Sequence, residues 1–179
     1  MRIAISGTHG TGKSTLVEAL SEELPQYAAV EEPYYQLEEE GHEFAQHPSL
    51  EDFELQLERS IENLEEAATN VIFDRCPADI LAYLLTHEDA DAFNIDGWLT
   101  RIQRAVATLD LVVFVPIEEP DRIVLPVSQG TAYRQRVDEK LQEIVLDNIF
   151  YFDVDVLEVS GSSQARAERA LTYLRSKGA

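Results

Sequence analysis

The sequence predicts an α/β fold in which a parallel five-stranded sheet carries helices on both faces. Three observations predict it. Short apolar runs alternate with longer stretches of helical periodicity along the chain, the pattern of strands joined by right-handed helical crossovers. Val71-Ile72-Phe73 and Leu111-Val112-Val113-Phe114-Val115 lack polar alternation, as strands covered on both sides should. Finally, Gly7-Thr8-His9-Gly10-Thr11-Gly12-Lys13-Ser14 matches G-x-x-x-x-G-K-[ST] and stands between an apolar run and a helix-forming run, the strand, loop and helix order that such a loop requires.

In chain order, strand-like runs fall at 2–6, 27–31, 70–74, 110–116 and 154–159. Helix-like segments fall at 13–23, 49–68, 77–87, 95–108, 132–149 and 163–176. The first strand is read from Ile3-Ala4-Ile5-Ser6 and the first helix from Thr15-Leu16-Val17-Glu18-Ala19-Leu20. Ser49, with Asp52 three residues on, opens the helix at 49–68 as a capping box, and Leu50, Phe53, Leu57, Ile61 and Leu64 share one face of it. Ser162 or Ser163 caps the last helix. The stretch Pro116 to Thr131, with its Pro, Asp and Gly, reads as a mobile loop. The 179 residues suit one domain, 1–179, without internal repeats or a long linker.

The glycine loop points to nucleotide phosphates. Its glycines let successive amides curl around an anion, and the helix N-terminus adds partial positive charge. Gly7 through Thr15 would form the cradle, His9 being a solvent-facing variable position within it. Lys13 would reach the β and γ phosphates, and Ser14 would hold Mg²⁺.

In such sheets ligands bind beyond the carboxyl ends of the strands. The second strand ends at Glu31-Glu32-Pro33, the third at Asp74-Arg75-Cys76-Pro77 and the fourth at Pro116-Ile117-Glu118-Glu119. Asp74 is a candidate Mg²⁺ acid, direct or through water, and Arg75 a candidate phosphate contact. Neither charge belongs at the end of an apolar strand without a partner. Glu32 is a candidate base for an acceptor hydroxyl. After the loop comes Tyr133-Arg134-Gln135-Arg136. On a regular helix residues i and i+2 lie about 200° apart, so one of Arg134 and Arg136 would serve the phosphates and the other pair with Asp138 or Glu139. Tyr34 and Tyr35 either stack on an aromatic acceptor or pack the helix that follows.

Together the GTHGTGKST loop, the Glu-Pro after the second strand, the Asp-Arg after the third and the late Arg-x-Arg resemble the P-loop nucleoside-kinase-like families. The string from Asp74 to Tyr83 looks most like the ribosylnicotinamide-kinase-like ATP-binding proteins, and the likeness spans almost the whole chain. It implies a three-layer P-loop NTPase fold with sheet order 2-3-1-4-5 and a lid at about 117–140. It also implies ATP with Mg²⁺ as donor and a small, hydroxyl-bearing acceptor. By the same similarity Glu32 maps onto the acceptor-side base, Asp74 onto the metal-linked acid and Arg75 onto the phosphate arginine. Asp79 falls where the family often has an acid near the acceptor, and Cys76 stands where deoxynucleoside kinases usually have serine.

The expected activity is therefore transfer of the γ-phosphate of Mg·ATP to a hydroxyl of a nucleoside-like acceptor. The alternatives are a nucleotide kinase, whose acceptor is a phosphate, and a slow ATPase switch acting through a protein partner. A net charge of −20, from 14 basic and 34 acidic residues, argues against nucleic-acid and membrane partners. The single cysteine, the absence of a leader-like start and the absence of a ~20-residue apolar run suit a cytoplasmic protein, monomeric or homodimeric. No guanine-reading Asn-Lys-x-Asp string is present, and His42 and His47 are one residue too far apart for H-E-x-x-H.

Overall fold

A computed structural model describes residues 1–45, 48–118, 120–121 and 131–178. Five parallel strands form one sheet: β1 (Arg2–Ser6), β2 (Ala28–Val30), β3 (Val71–Asp74), β4 (Leu111–Phe114) and β5 (Asp155–Glu158), in the order β2-β3-β1-β4-β5. Seven α-helices are described: α1 (Lys13–Glu23), α2 (Pro33–Glu39), α3 (Leu50–Glu66), α4 (Pro77–Thr86), α5 (Ile95–Val106), α6 (Thr131–Val145) and α7 (Ser163–Ser176). The order is the expected 2-3-1-4-5.

Strand alternation builds the three layers. Ala4, Val71, Phe73, Val112 and Phe114 pack into the core beneath α3, α4, α5 and α6. Ile3, Ile5, Ile72, Leu111 and Val113 pack on the opposite face with Leu16 and Leu20 of α1 and Leu171 and Leu174 of α7. Side chains two apart share a face, so three central strands feed both cores at once. The register Ile5↔Asp74 and Ser6↔Phe114 aligns the strands' carboxyl ends, where the glycine loop emerges.

Both expected caps form. Ser49 and Asp52 make a reciprocal capping box, Asp52 N donating to Ser49 Oγ at 3.1 Å and Ser49 N to Asp52 Oδ2 at 2.9 Å. Ser162 caps α7 by accepting from Ala165 N at 3.2 Å. Two elements differ from expectation. Helix α2 was not foreseen: Pro33 at its first position has a preset helical φ, but only Pro33 and Leu37 are buried, too few for a readable stripe. Helix α6 stops at Val145 instead of 149, because Asn148 and Tyr151 take φ of 53° and 55° and the Asn148 side chain brackets Phe152. The apolar Leu146 and Ile149 continue the sequence pattern past Val145.

Close packing of β1 against β4 makes Gly7 irreplaceable. A Cβ there would lie 2.4 Å from Val115 O and 2.9 Å from Thr11 Oγ1. Gly7→Ala is therefore expected to cost about 1–3 kcal/mol, read as a lowered thermal denaturation midpoint, and to weaken nucleotide binding by displacing the loop.

Candidate active site at the glycine loop

Gly7 to Gly12 bridge β1 and α1, with Gly10 and Gly12 at φ of 66° and 89°. Gly12 caps α1 without a side chain, and no acid sits in the first turn. The helix's leading amides and its dipole thus lack a built-in anionic partner, which leaves them for a bound anion. From below, Asp79 Oδ1 accepts from Gly7 N at 2.8 Å and its Oδ2 from Cys76 N at 3.0 Å. Asp79 is fully buried. It braces the loop and caps α4, with Cys76 Sγ, 3.5 Å from Asp79 Oδ2, filling the place of a capping hydroxyl.

Lys13 is buried, its Nζ donating to Thr8 O at 2.9 Å. Burial, followed by the nearby Arg75 charge, lowers its pKa to about 8 against the opposing pull of Glu32, Asp74 and Asp79. A phosphate arriving there would supply the negative charge that this ammonium lacks. Ser14 Oγ donates to Asp74 Oδ2 at 2.7 Å, and Asp74 Oδ1 is buried without a hydrogen-bond partner among the described residues. A hydroxyl touching a carboxylate with an unspent oxygen fits a hydrated Mg²⁺, which keeps most of its waters and takes one or two protein oxygens.

At the neighbouring strand end Arg75 Nε pairs with Glu32 Oε1 at 2.7 Å, Nη1 donates to Gly7 O at 3.0 Å, and Asp79 Oδ1 lies 3.7 Å from Nη1. Arg75 holds φ of 75°, a costly conformation for a non-glycine residue and one that clusters at functional sites. Burial pushes the Glu32 carboxyl up, but the Arg75 and Lys13 charges outweigh it, and the net shift is downward. Glu32 is therefore an anion at neutral pH.

The two arginines of α6 separate. Arg134 is buried and bonds the loop's backbone, Nε to His9 O at 2.8 Å and Nη2 to Gly10 O at 3.0 Å, while Nη1 pairs with Asp121. Arg136 is exposed and lies 5.6 Å from the centre of the Tyr133 ring. It forms no ion pair with Asp138 or Glu139, correcting that expectation: Asp138 accepts from Ile117 N and Gln142, and Glu139 from Gln135. Within the expected lid at 117–140, residues 119 and 122–130 lie outside the described residues. Thr15, the last residue of the expected cradle, is exposed in the first turn of α1.

His9 is not fully solvent-facing. Its Nδ1 is 3.0 Å and its N 2.9 Å from the Tyr83 hydroxyl, which also sits 3.4 Å from Thr8 Oγ1. Tyr83 stacks on Phe53 with centroids 5.3 Å apart, and the Arg75 guanidinium lies 5.4 Å from its ring. Beyond Tyr83, Phe53, Thr86, His87, Tyr133 and Arg136 line an open cleft of about 440 Å³, within the roughly 300–1,000 Å³ usual for small-molecule sites. Tyr34 stacks instead on Phe44, centroids 4.3 Å apart. Sequence reasoning missed both Tyr83 and Arg166, the latter donating to Thr11 O from α7. For Arg166 a signal existed: it shares a helical stripe with the buried Ala170 and Leu174, where a charge requires a buried partner.

Residues 2–166 match the family model described as an AAA domain. The chain belongs to the AAA-domain family. No curated protein matches this AAA-domain chain in sequence. Solved structures share its fold. It is similar to deoxyadenosine kinase from M. mycoides with bound dATP, at 19% identity and TM-score 0.68 over 98% of this chain and 100% of that one. It is also similar to the YorR protein from Bacillus subtilis, in complex with phosphorylated GDP, at 18% identity and TM-score 0.62 over 99% and 97%. Shikimate kinase from Aquifex aeolicus follows at 17% identity and TM-score 0.55 over 99% and 98%. At these identities the likeness establishes a P-loop kinase fold. Among the described residues, no helix of the family member is long and apolar enough to cross a membrane.

Proposed function

We propose that this protein is a P-loop small-molecule kinase that transfers the γ-phosphate of Mg·ATP to a hydroxyl of a nucleoside-like acceptor. The observation that carries the reading is the Glu32–Arg75 pair, 2.7 Å apart, set at the strand edge where Lys13 and the Ser14–Asp74 contact also converge. A half-buried acid beside Lys13 can take the proton of a hydroxyl acceptor, a role that a phosphate acceptor does not require. The similar structures, a deoxyadenosine kinase and a shikimate kinase, agree with such acceptors.

In this account the amides from Gly10 to Thr15 and Lys13 hold the donor phosphates, Gly7 N being spent on Asp79 and His9 N on Tyr83, while Ser14 and Asp74 would hold Mg²⁺, which would offset negative charge on the phosphates. Glu32 orients the acceptor hydroxyl and receives its proton. Arg75 keeps Glu32 ionised and faces the developing charge together with Arg134, which would leave the His9 and Gly10 carbonyls for the phosphate. The cleft between α3, α4 and α6 takes the body of the acceptor, a nucleoside of the deoxynucleoside or ribosylnicotinamide type. We assign the chain to one domain acting in the cytoplasm, where the buried free Cys76 stays reduced.

A second reading, a nucleotide kinase with a phosphate acceptor, is favoured by one observation: the exposed Arg136 at the cleft, a cation in a chain of net charge −20. An acceptor screen separates the two. ADP formation from Mg·ATP is expected to rise with a nucleoside in the panel and to fall to background in Asp74→Asn. A rise confined to nucleoside monophosphates would favour the second reading, and no rise with any acceptor would count against both.

A further inference from the structure

We propose that Arg166, on the last helix, is a positioning residue of the glycine loop: it turns the Thr11 carbonyl outward so that the neighbouring amides face a nucleotide's phosphates. The inference rests on the reading of the loop as the ATP site and adds to it a residue from the far end of the chain.

A loop that presents its amides to an anion turns its carbonyls the other way, and buried carbonyls need donors. Here five consecutive carbonyls each meet a cationic side chain. Gly7 O accepts from Arg75 at 3.0 Å, Thr8 O from Lys13 at 2.9 Å, His9 O and Gly10 O from Arg134 at 2.8 and 3.0 Å, and Thr11 O from Arg166. Four of the chain's 14 basic residues are spent on this one loop, although the molecule's net charge leaves few to spare. Charge-assisted bonds to the carbonyls also polarise the peptide units, strengthening their amides as donors.

The four donors differ in what else they do. Lys13 and Arg134 are the groups assigned to the phosphates, and Thr8 O keeps the Thr11 hydroxyl, 3.0 Å away, when Lys13 turns. Arg75 is shared with Glu32. Arg166 is the donor held by the packing of its helix and by an acid, Glu118, that is given no part in the reaction. Its helix buries Ala167, Ala170, Leu171 and Leu174 against Leu16 and Leu20 of α1, and Arg166 itself is 7% exposed. Its second nitrogen donates to Glu118 Oε1 at 2.7 Å, and the same oxygen accepts from Gly161 N at 2.6 Å. Glu118 thus aims the guanidinium and ties the loop to the segments that follow β4 and β5.

The test is Mg·ATP affinity, by calorimetry, set beside the melting temperature for Arg166→Met, Arg166→Lys and Glu118→Gln. Arg166→Met is expected to weaken Mg·ATP at least about tenfold, the value of one lost charge-assisted hydrogen bond. Arg166→Lys, which keeps a donor for Thr11 O, should recover most of that loss. Glu118→Gln should weaken binding by a smaller factor. Affinity within twofold of wild type in a folded Arg166→Met overturns the proposal, as does a lysine variant that binds no better than the methionine one. If Arg166→Met does not fold, wild-type affinity in Glu118→Gln overturns it. Wild-type protein that binds no Mg·ATP refutes the site reading itself, a result distinct from these.

Discussion

Glu32→Gln lowers turnover by about a hundred- to ten-thousandfold while Mg·ATP affinity stays within about twofold of wild type, the loss expected when a positioned general base is removed. Glu32 caps the short helix α2, directly after the edge strand β2, and its side chain is 18% exposed. It is close enough to Lys13 and Arg75 to be held ionised, because burial alone would push its pKa up and those two cations reverse the shift. A base held below its ordinary pKa is intrinsically weak, so its contribution comes from orientation and from accepting the proton late, as the hydroxyl bonds to phosphorus. The sign of the shift also fixes the pH dependence. Glu32 remains ionised across the neutral range, so turnover should not fall between pH 8 and pH 6 through this residue. The glutamine keeps the shape and a hydrogen-bond acceptor for Arg75 but removes the carboxylate charge, leaving Asp79, 3.7 Å away, to balance the guanidinium. A modest drop in melting temperature therefore accompanies the loss. A nucleotide kinase needs no such base and would lose little turnover on the same change.

Lys13→Met has an opposite pair of effects. Turnover falls about a hundred- to a thousandfold, the size expected on removing one preorganised charge from the transition state, yet the protein is at least as stable at pH 7 as wild type. The Lys13 pKa is depressed to about 8 from an unfolded value of 10.5, burial being the largest cause and the Arg75 charge the next. The unfolded chain therefore binds more protons between about pH 8 and pH 10.5, and wild-type stability rises with pH across that window. Below pH 8 the folded state carries the full cost of a buried ammonium. Methionine removes that cost, and Thr8 O retains the Thr11 hydroxyl at 3.0 Å. Thermal melts of the two proteins should converge as pH approaches 10.5. Mg·ATP binding to wild type runs the other way. Phosphate oxygens raise the Lys13 pKa, so affinity is level below pH 7 and falls as pH rises through 8, up to tenfold per unit, with proton uptake on binding. Affinity that is flat from pH 7 to pH 9 would remove Lys13 from the phosphate site.

Much of this site is local in sequence, and that part was legible. The glycine loop, the Ser49–Asp52 capping box and the acids and arginine at the ends of β2 and β3 are each set by residues within a few positions of one another. The alternating apolar runs also identify strands that feed two cores. Long-range pairing was not legible. Spacing says nothing of Asp79 reaching back to Gly7, 72 residues away, or of Arg166 crossing 155 residues to Thr11. The Arg134–Arg136 choice turned on where α6 begins relative to the loop, and on Tyr133 giving Arg136 a ring to lie over instead of a carboxylate. Helix α2 escaped because seven residues with two buried side chains leave too short a pattern. Tyr83 escaped because α4 is apolar nearly all round, so its one hydroxyl could not be told from core filling. That hydroxyl joins the loop to the aromatic wall of the cleft.

The central claim is phosphoryl transfer to a hydroxyl, and the most direct measurement follows the label from γ-labelled ATP incubated with the protein, Mg²⁺ and a nucleoside panel. The account predicts that label appears on the monophosphate of at least one nucleoside, and that Asp74→Asn and Glu32→Gln lose that transfer. Label found only as inorganic phosphate, at one rate with or without acceptors, would contradict it.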